Sequence, residues 1–406
     1  MLPMAVQSFT AEVAVIGAGP AGLTAAIALA SAGLETMLVG KRTTAEDNRT
    51  TALLHSSVIA LDTLGVWEVC RLNAAPLRVI RLIDDRGGLL RAPEVQFVAS
   101  EIGLDSFGHN IENRLLLAAL EQRACLLSAL KMIRGEVETI EIGQQEVTAR
   151  VSGDSTIKAR LIVGADGRHS LCRAAAGIIV ERRKYPQNAL TLNIHHTRPH
   201  HHISTEFHTE TGPFTLVPLP GQRSSVVLSI VATDAWRFET LPQTVLVEEI
   251  EQRSHSILGQ TEVEPGRAMF PLVLETATSL CGPRVILIGE AGHVIPPIGA
   301  QGLNLGLRDA ATIAELAVEA HHCGNDIGSS EVTERYNRMR RVDVVSRTLM
   351  VDLLNRSLLS DFLPWQAARS AGLFLTNRLG PLRRAVMREG VMPAASQPRL
   401  MRGELL

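Results

Sequence analysis

The turn GAGPAG at residues 17–22 constrains the fold of this chain more than any other segment. The apolar run EVAVI precedes it, the helix-forming run LTAAIALASAG follows it, and a second apolar run, TMLV, ends near Val39. A strand, a glycine turn, a helix and a second strand in this order are the context in which G-x-G-x-x-G binds a dinucleotide. The three glycines permit the tight turn, the approach of a pyrophosphate to the main chain, and close packing of helix on sheet.

The end of the second predicted strand departs from this pattern. An Asp or Glu about twenty residues after the turn normally holds the ribose hydroxyls. Here that position is Gly40, followed by Lys41 and Arg42, and the next acids are Glu46 and Asp47. We therefore expect the adenosine ribose to be held in another way or less tightly. The basic pair leaves two alternatives, a 2′-phosphate site or a solvated strand end, and we favour the solvated end.

Two later segments contain strands that end in polar or glycine-rich loops. LIVGADGRHS, at 161–170, predicts a buried strand that ends at Asp166, whose carboxylate needs a loop N–H group or a ribose hydroxyl as partner. VILIG, at 285–289, predicts a buried parallel strand with Glu290 at its carboxyl end, where open α/β sheets bind ligands.

The loop and helix that follow Glu290 suggest contact with a flat ring system. Pro296 and Pro297 force an extended main chain. Gly299, Gly302 and Gly306 remove side chains where a planar ring could lie against the backbone. The helix predicted from about residue 302 to 320 directs its N-terminal dipole at the same place, which favours a reduced, anionic flavin. Together the three segments indicate FAD.

With these segments assembled, the chain resembles the class A flavoprotein aromatic hydroxylases, the family of para-hydroxybenzoate hydroxylase. Within that class it is most similar to the ubiquinone-biosynthesis hydroxylases. The glycine turn, the pair Asp166-Gly167 and the segment around Glu290 match the family in order and spacing. Residues 49–67, 111–120 and 206–219 match as well, so the resemblance extends over most of the chain.

The resemblance also implies positions for individual residues around FAD. Arg49 and Arg114 are expected near the ribityl–pyrophosphate region, Asp166 supports FAD and NAD(P)H, and Pro297 faces the isoalloxazine near the substrate. Glu290, where the family usually has Asp, is expected to contact the ribityl or ribose hydroxyls. No general base is assigned. The predicted cofactor-binding set is Gly17, Gly19, Pro20, Ala21, Gly22, Arg49, Arg114, Asp166, Gly167, Gly289, Glu290, Pro297, Gly299, Gly302, Leu303 and Asn304.

The activity that the resemblance implies is hydroxylation of the aromatic ring of a polyprenyl-phenol in ubiquinone biosynthesis. The expected cycle reduces FAD with NAD(P)H, forms a flavin C4a-hydroperoxide with O2, and transfers one oxygen atom to the phenol. One alternative is an FAD-dependent reductase or dehydrogenase of an isoprenoid lipid, which would form no stable hydroperoxide. Another is a non-catalytic FAD-binding subunit of a quinone-biosynthesis complex, which would not turn over NAD(P)H.

The fold class expected is α/β, with a discontinuous Rossmann-like FAD-binding domain, an inserted, mostly antiparallel substrate sheet and a C-terminal helical region. The expected boundaries are 1–75, 100–185 and 268–330 for FAD binding, 76–99 and 186–267 for substrate, and 331–406 for the helices. The substrate sheet includes a hairpin of 78–84 with 86–92 and strands at 188–197, 203–208, 214–219 and 224–232. Helices are expected at 331–356, 362–375 and 381–389.

Composition narrows the partners. The chain has 406 residues, a net charge of −2 and no basic, aromatic-lined sheet, so we expect no nucleic acid partner. Five cysteines without CxxC spacing indicate a reducing compartment, and the first ten residues do not resemble a signal peptide. No apolar run is long enough to span a bilayer. We expect a location in the cytoplasm, either free or peripheral on the inner face of the membrane.

Two clusters leave alternatives open. The run HHTRPHHH at 195–202 could bind a metal, but Pro199 interrupts it and no acid or cysteine completes a site, so we favour a solvated turn and expect no metal. The arginine-rich, partly apolar segment after residue 331 has two interpretations. It could lie on an anionic membrane or a quinone-biosynthesis complex, or it could be a packed helical region with a solvated arginine face.

Overall fold

The computed structural model describes residues 7–41, 48–87, 93–153, 155–359, 371–372, 374–376, 378–392 and 397–406. The strands are β1 (Gln7–Ile16), β2 (Thr36–Gly40), β3 (Thr50–Leu54), β4 (Ala74–Pro76), β5 (Val79–Asp84), β6 (Val95–Val98), β7 (Gly108–Glu112), β8 (Leu130–Arg134), β9 (Val137–Ile142), β10 (Val147–Val151), β11 (Ser155–Gly164), β12 (Val180–His196), β13 (Ile203–Thr209), β14 (Gly212–Leu219), β15 (Arg223–Val231), β16 (Thr261–Val263), β17 (Ala268–Ala277), β18 (Cys281–Gly282), β19 (Val285–Leu287) and β20 (His293–Val294). The helices are α1 (Pro20–Ser31), α2 (His55–Thr63), α3 (Trp67–Arg71), α4 (Asn113–Cys125), α5 (Leu171–Ala175), α6 (Ala235–Thr240), α7 (Gln243–Arg253), α8 (Gln301–His322), α9 (Ser330–Leu359) and α10 (Gly380–Val391).

The first sheet is the nucleotide-binding type that the glycine turn predicts. Its path is β18-β19-β11-β1-β2-β8, and the pairs from β19 to β8 are all parallel. Strands β18, β10 and β9 extend it in antiparallel fashion. The pairing of β1 with both β11 and β2 brings the carboxyl ends of three strands to one edge. The α/β class and the discontinuous, Rossmann-like sheet are therefore confirmed.

Helices α1 and α8 cover one face of this sheet. Every residue of α1 from Gly22 to Ala30 is buried, and most of α8 is buried as well. A helix that is apolar on all sides is stable only inside a protein, and here it lies between the sheet and its neighbouring helices. Gly33, the predicted helix terminator, follows α1 with a left-handed φ of 92°.

The second sheet has nine strands in the order β20-β17-β12-β15-β14-β13-β5-β6, with β16 on β12. Only the pair of β5 with β13 is parallel, so the predicted mostly antiparallel sheet is confirmed. The four expected strands correspond to β12, β13, β14 and β15, although β12 begins at Val180. The first hairpin strand is found as β5, which pairs with β6; most of 86–92 lies outside the described residues.

A third sheet has three strands in the order β3-β7-β4. The C-terminal helices expected at 331–356 and 381–389 are found as α9 and α10, whereas 362–375 lies mostly outside the described residues. Both β17 and the first residues of β12 belong to the second sheet. The division of the chain into three domains stays a prediction.

Candidate functional site

Two glycines of the turn lie very close to main-chain carbonyl oxygens. Gly17 has a left-handed φ of 114°, and a Cβ there would lie 2.2 Å from the carbonyl oxygen of Ala165. A Cβ on Gly22 would lie 2.0 Å from the carbonyl oxygen of Gly17. Both positions therefore require glycine for packing within the protein, before any ligand is considered.

Gly19 differs from these two glycines. It is the N-cap of α1 with φ −74°, a Cβ on it would meet nothing within 4 Å, and Pro20 follows at the first helical position. No side chain caps the helix and its first turn contains no acid. A helix start without a side-chain cap leaves its first N–H groups, such as those of Ala21 and Gly22, available at the positive end of the helix dipole, which suits a pyrophosphate.

The structure gives a steric reason for the glycine that replaces the expected acid on β2. A Cβ on Gly40 would lie 2.6 Å from the main-chain nitrogen of Ala18 in the glycine turn. No side chain fits there unless the turn moves. Lys41 forms an ion pair with Glu136, as a solvated strand end would, and Arg42 lies outside the described residues.

Asp166 and Gly167 lie beside the glycine turn at the end of β11. One carboxylate oxygen of Asp166 accepts a hydrogen bond from the main-chain N–H of Cys172 at 3.0 Å and so supports the start of α5. The other oxygen, Oδ1, is buried and has no partner within the described chain. Burial, together with the charge of Asp166, raises the pKa of the Cys172 thiol. The orphaned oxygen fits a hydroxyl donor such as a ribose.

The third segment also contacts the glycine turn, at the 3₁₀ turn Gly289–Ala291. A Cβ on Gly289 would lie 3.3 Å from the Cβ of Ala21, so this turn packs against the start of α1. Glu290 is exposed, and its carboxylate has no hydrogen bond or ion pair among the described residues. Such a carboxylate at the carboxyl edge of a parallel sheet can accept hydrogen bonds from a ligand's hydroxyls.

The start of α8 is a second helix terminus without a side-chain cap. Its N-cap, Ala300, has the left-handed φ of 54°, which is strained for a residue other than glycine, and Gly299 before it has φ 65°. A Cβ on Gly302 would meet nothing within 4 Å, and Leu303 is half-buried. Pro297 is exposed on the preceding loop. This terminus can therefore receive a negatively charged edge of a ligand.

Asn304 supports this terminus from inside the protein. Its Oδ1 accepts from the N–H of Leu54 at 2.8 Å, and its Nδ2 donates to the carbonyl oxygens of Ala52 and Ala300 at 2.9 and 2.6 Å. The side chain thus fastens α8 to β3. Because this side chain already makes three hydrogen bonds within the protein, Asn304 can contact a ligand only through its main chain.

The two predicted arginines lie near each other at the start of β3. Arg49 precedes this strand and its carbonyl oxygen accepts from the N–H of Asn113, the neighbour of Arg114. Arg114 is exposed and its Nε donates to Glu112 at 2.7 Å. Glu112 also accepts from Arg223, which binds Glu264 through Nε and Nη2 at 2.7 and 2.8 Å. Arg114 therefore belongs to an ion network that joins α4 to the second sheet.

The histidine run is mostly exposed, as the predicted solvated turn requires, with one buried member. His196 is buried, with Nδ1 2.8 Å from the carbonyl oxygen of Arg198 and Nε2 3.0 Å from Ser224. His200 contacts the carbonyl oxygens of Leu219 and Gly221. These rings fasten the turn to the end of β14, which explains their density. The described part of the chain contains no group of three His, Cys, Asp or Glu side chains suited to a metal.

Sequence reasoning missed a buried ion network behind the turn Gly289–Ala291. Asp309 on α8 is completely buried, accepts from the N–H of Gly289 at 3.1 Å, and pairs with His293 and Arg340. A signal was present, because Arg340 occupies the same helical stripe as the buried residues Tyr336 and Val344. A charged residue on an apolar stripe indicates a buried partner.

These features fit FAD. The open N-terminus of α1 can hold the pyrophosphate, Asp166 and Glu290 offer carboxylate oxygens to hydroxyls, and the start of α8 offers a positive dipole end. All four lie along the carboxyl edge of the first sheet, where the segments at 17–22, 165–167 and 289–306 meet.

Comparison with known proteins gives the same cofactor. A family model described as an FAD binding domain matches residues 10–347. A protein from Rhodospirillum rubrum named ubiquinone hydroxylase UbiL is 32% identical over 403 residues, which cover 97% of this chain and 93% of that protein. The 3-demethoxyubiquinol 3-hydroxylase of Escherichia coli is 26% identical over 386 residues, covering 93% of this chain and 97% of that protein.

A solved structure shares the fold. The p-nitrophenol 4-monooxygenase PnpA from Pseudomonas putida superposes with a TM-score of 0.77 at 19% identity, covering 94% of this chain and 98% of that one. Fold, site and relatives together define an FAD-dependent monooxygenase that hydroxylates aromatic rings. The chain belongs to the FAD-binding-domain family, and its cofactor is FAD.

Proposed function

We propose that this protein hydroxylates the aromatic ring of a polyprenyl-phenol during ubiquinone biosynthesis. The observation that carries the proposal is the similarity to a named ubiquinone hydroxylase over 97% of the chain. The balanced reaction consumes the phenol, O2, NAD(P)H and a proton and yields the hydroxylated ring, water and NAD(P)⁺. FAD, when bound, supplies the electron transfer and the activation of O2.

The residues of the chain contribute binding, orientation and electrostatics. The N–H groups of Ala21 and Gly22 would hold the pyrophosphate, and Glu290 would accept from the ribityl hydroxyls. The first N–H groups of α8 would stabilise negative charge on the reduced ring. Pro297, which has neither a side-chain donor nor an N–H group, would present an apolar surface to the ring and exclude water. The predicted roles of Arg49, Arg114, Asp166 and Gly167 complete this proposed site.

Gene deletion followed by mass spectrometry of quinone precursors tests the proposed substrate. We expect an intermediate that lacks one hydroxyl group to accumulate, and expression of the wild-type chain to remove it. A Gly19→Val variant, whose side chain would occupy the open space at the start of α1, should fail to do so. Normal ubiquinone without any accumulated precursor would refute this proposal.

We further propose that α9 and α10 place the protein on an anionic membrane, where a polyprenyl substrate resides. The buried stripe of α9 includes Arg340, Arg347 and Asp352 beside its apolar residues, whereas the middle of its outward side, between 342 and 353, has a group of exposed apolar residues. We call that side the outer apolar face; its exposed residues are Val342, Val345, Leu349, Met350 and Leu353. Val342 is 71% exposed, which is unusual for a long apolar stripe on a soluble surface.

Charge complementarity selects the membrane as the occupant of this face. The neighbouring exposed cations are Arg338, Arg341 and Arg356 on α9 and Arg384 and Arg388 on α10. Each contributes about 1 kcal/mol near an anionic surface, and salt screens this attraction. Arg338 and Arg356 also form long ion pairs within α9, at 3.8 and 3.7 Å. Arg383 donates to Glu101 at 2.6 Å and serves the fold. No helix in the described ranges is long and apolar enough to cross a bilayer. The attachment that we propose is peripheral.

Vesicle sedimentation tests this attachment. Holoenzyme should bind vesicles of phosphatidylglycerol better than vesicles of phosphatidylcholine, and binding should fall as salt rises. The double variant Leu349→Glu with Leu353→Glu should lose binding, whereas Leu126→Glu, at an exposed leucine on another surface, should not. Absence of wild-type binding would overturn the proposal. The proposal would also be overturned if the wild-type protein were a dimer in solution and the double variant, but not Leu126→Glu, were a monomer. A second copy of the chain would then cover the outer apolar face.

A further inference from the structure

The turn that carries Glu290 is held at both ends by one buried carboxylate. Asp309 is fully buried on α8, and its Oδ2 accepts from the N–H of Gly289 at 3.1 Å and from Nε2 of His293 at 2.6 Å. Because a carboxylate only accepts, His293 must donate from Nε2. The other oxygen of Asp309 accepts from Nε of Arg340 at 2.7 Å.

Ion pairs continue from Arg340 across two helices. Arg340 and Arg308 both donate to one oxygen of Asp343, at 2.7 and 2.6 Å. Arg347 lies 3.6 Å from the other oxygen of Asp343 and donates to Glu389 on α10 at 2.7 Å. The network thus links the turn beside α1 to the C-terminal helix.

The acidic and basic groups in this network hold one another in place. Three carboxylates, of Asp309, Asp343 and Glu389, face the guanidinium groups of Arg308, Arg340 and Arg347. Burial by itself would raise the pKa of Asp309, but the charges of Arg340 and His293 and their hydrogen bonds keep it below the ordinary value. Asp309 is therefore ionised. A buried carboxylate is stable only while its charged hydrogen-bond partners stay in place.

A second side chain also supports the turn: Nη1 of Arg173 donates to the carbonyl oxygen of Ala291 at 2.8 Å. Gly289 has the left-handed φ of 57°, and Glu290 has no partner among the described residues. Asp309 holds the first residue of the turn, Gly289, and also His293, the first residue of β20. Without Asp309, the main chain of this segment would lose its only charged hydrogen-bond acceptor within the described network.

We propose that Asp309 and His293 are positioning residues, which set the height and direction of the turn Gly289–Ala291 and so place Glu290 against the ribityl chain of FAD. This inference rests on the proposed FAD contacts of Glu290. Neither residue touches the flavin in this arrangement; both act through the main chain of the turn. The proposal gives a role to the ion pairs of Asp309 and Asp343 with Arg340, which are largely buried beneath a site built mainly from glycine and proline.

The test compares holoenzyme variants that differ only in this support. His293→Phe and Asp309→Asn should weaken FAD binding about tenfold to a hundredfold, as the loss of one charged hydrogen bond predicts. Hydrogen–deuterium exchange across 285–300 should become faster. His293→Gln keeps a donor near Nε2 and should restore FAD affinity to within about threefold of wild type.

Tyr336→Phe is the matched control. It removes a buried hydrogen bond to the carbonyl oxygen of Leu287 on the adjoining strand, yet leaves the turn's own contacts intact. It should lower the melting temperature without weakening FAD. Equal FAD loss in Tyr336→Phe, or wild-type affinity in a folded His293→Phe, would overturn the positioning role. Failure of the wild-type protein to bind FAD would instead overturn the proposed site.

Discussion

Gly19 and Gly22 are three residues apart in the same turn, yet alanine should affect them in opposite ways. At Gly19 the main chain has φ −74°, which alanine adopts without strain, and a Cβ would meet nothing within 4 Å. At Gly22 a Cβ would lie 2.0 Å from the carbonyl oxygen of Gly17. The first glycine therefore serves the ligand, and the second serves the packing of α1 on the sheet.

The magnitudes follow from these distances. Gly19→Ala replaces a good N-cap by a poorer one but also restricts the unfolded chain, and these opposing effects of about 0.5–1 kcal/mol nearly cancel. Its methyl group should displace the pyrophosphate from one main-chain donor, which costs about 1.5–3 kcal/mol, or about one to two decades in FAD affinity. Gly22→Ala must shift the helix, with an overpacking cost of about 1–3 kcal/mol in stability.

The assay measures the melting temperature of the apoprotein and the FAD dissociation constant for each variant. We expect Gly19→Ala to melt like wild type and to bind FAD weakly, and Gly22→Ala to melt lower. Wild-type FAD affinity in Gly19→Ala would refute the placement of the pyrophosphate at the start of α1. A lower melting temperature for Gly19→Ala than for Gly22→Ala would refute the steric argument.

Three further predictions concern the edge of the site and the pH dependence of stability. Glu290→Ala should weaken FAD binding by about one to two decades, and Glu290→Asp should have a mild effect; unchanged affinity in a fluorescence titration of Glu290→Ala would place the ribityl chain elsewhere. Gly40→Asp should lower FAD affinity rather than restore a ribose contact, because its Cβ would lie 2.6 Å from the nitrogen of Ala18; tighter binding would contradict this reasoning. Burial, with the nearby charges of His55, Arg71 and His202, lowers the pKa of His109 to about 4. Stability from its neutral form is complete above pH ~6.5 and is lost as pH falls toward about 4, by about 1–2 kcal/mol after solvent screening; a His109→Gln variant with an equally steep loss in thermal unfolding would exclude His109 as the cause.

Local patterns predicted the elements that place the site. Short apolar runs predicted β1, β11 and β19, and the glycine turn correctly marked the start of α1. The reason for Gly40 could not be read from sequence, because its neighbour Ala18 is brought close only by the pairing of β1 with β2. The same holds for Asp309, whose partners His293 and Arg340 lie on separate elements.

In the C-terminal helices, the number of arginines does not predict which side of a helix is exposed. In α9, the positions 342, 345, 349 and 353 are spaced like a buried stripe, but they are exposed, while Arg340 and Arg347 face inward. Sequence periodicity identifies the two faces of a helix, and the apolar one is normally the buried one. Here α9 has apolar residues on both sides, because Tyr336 and Val344 are buried beside Arg340. Some of its arginines are thus interior, and some of its apolar residues lie on the surface.

The most direct test of the central claim follows the oxygen atom. Purified holoenzyme is given NAD(P)H, a polyprenyl-phenol precursor of ubiquinone, and O2 labelled with the heavy oxygen isotope, and the product is weighed by mass spectrometry. An aromatic hydroxylase of this kind must place one labelled atom on the ring for each NAD(P)H consumed. Unlabelled product, or NAD(P)H oxidation that yields only hydrogen peroxide with every phenol precursor tested, would contradict the account.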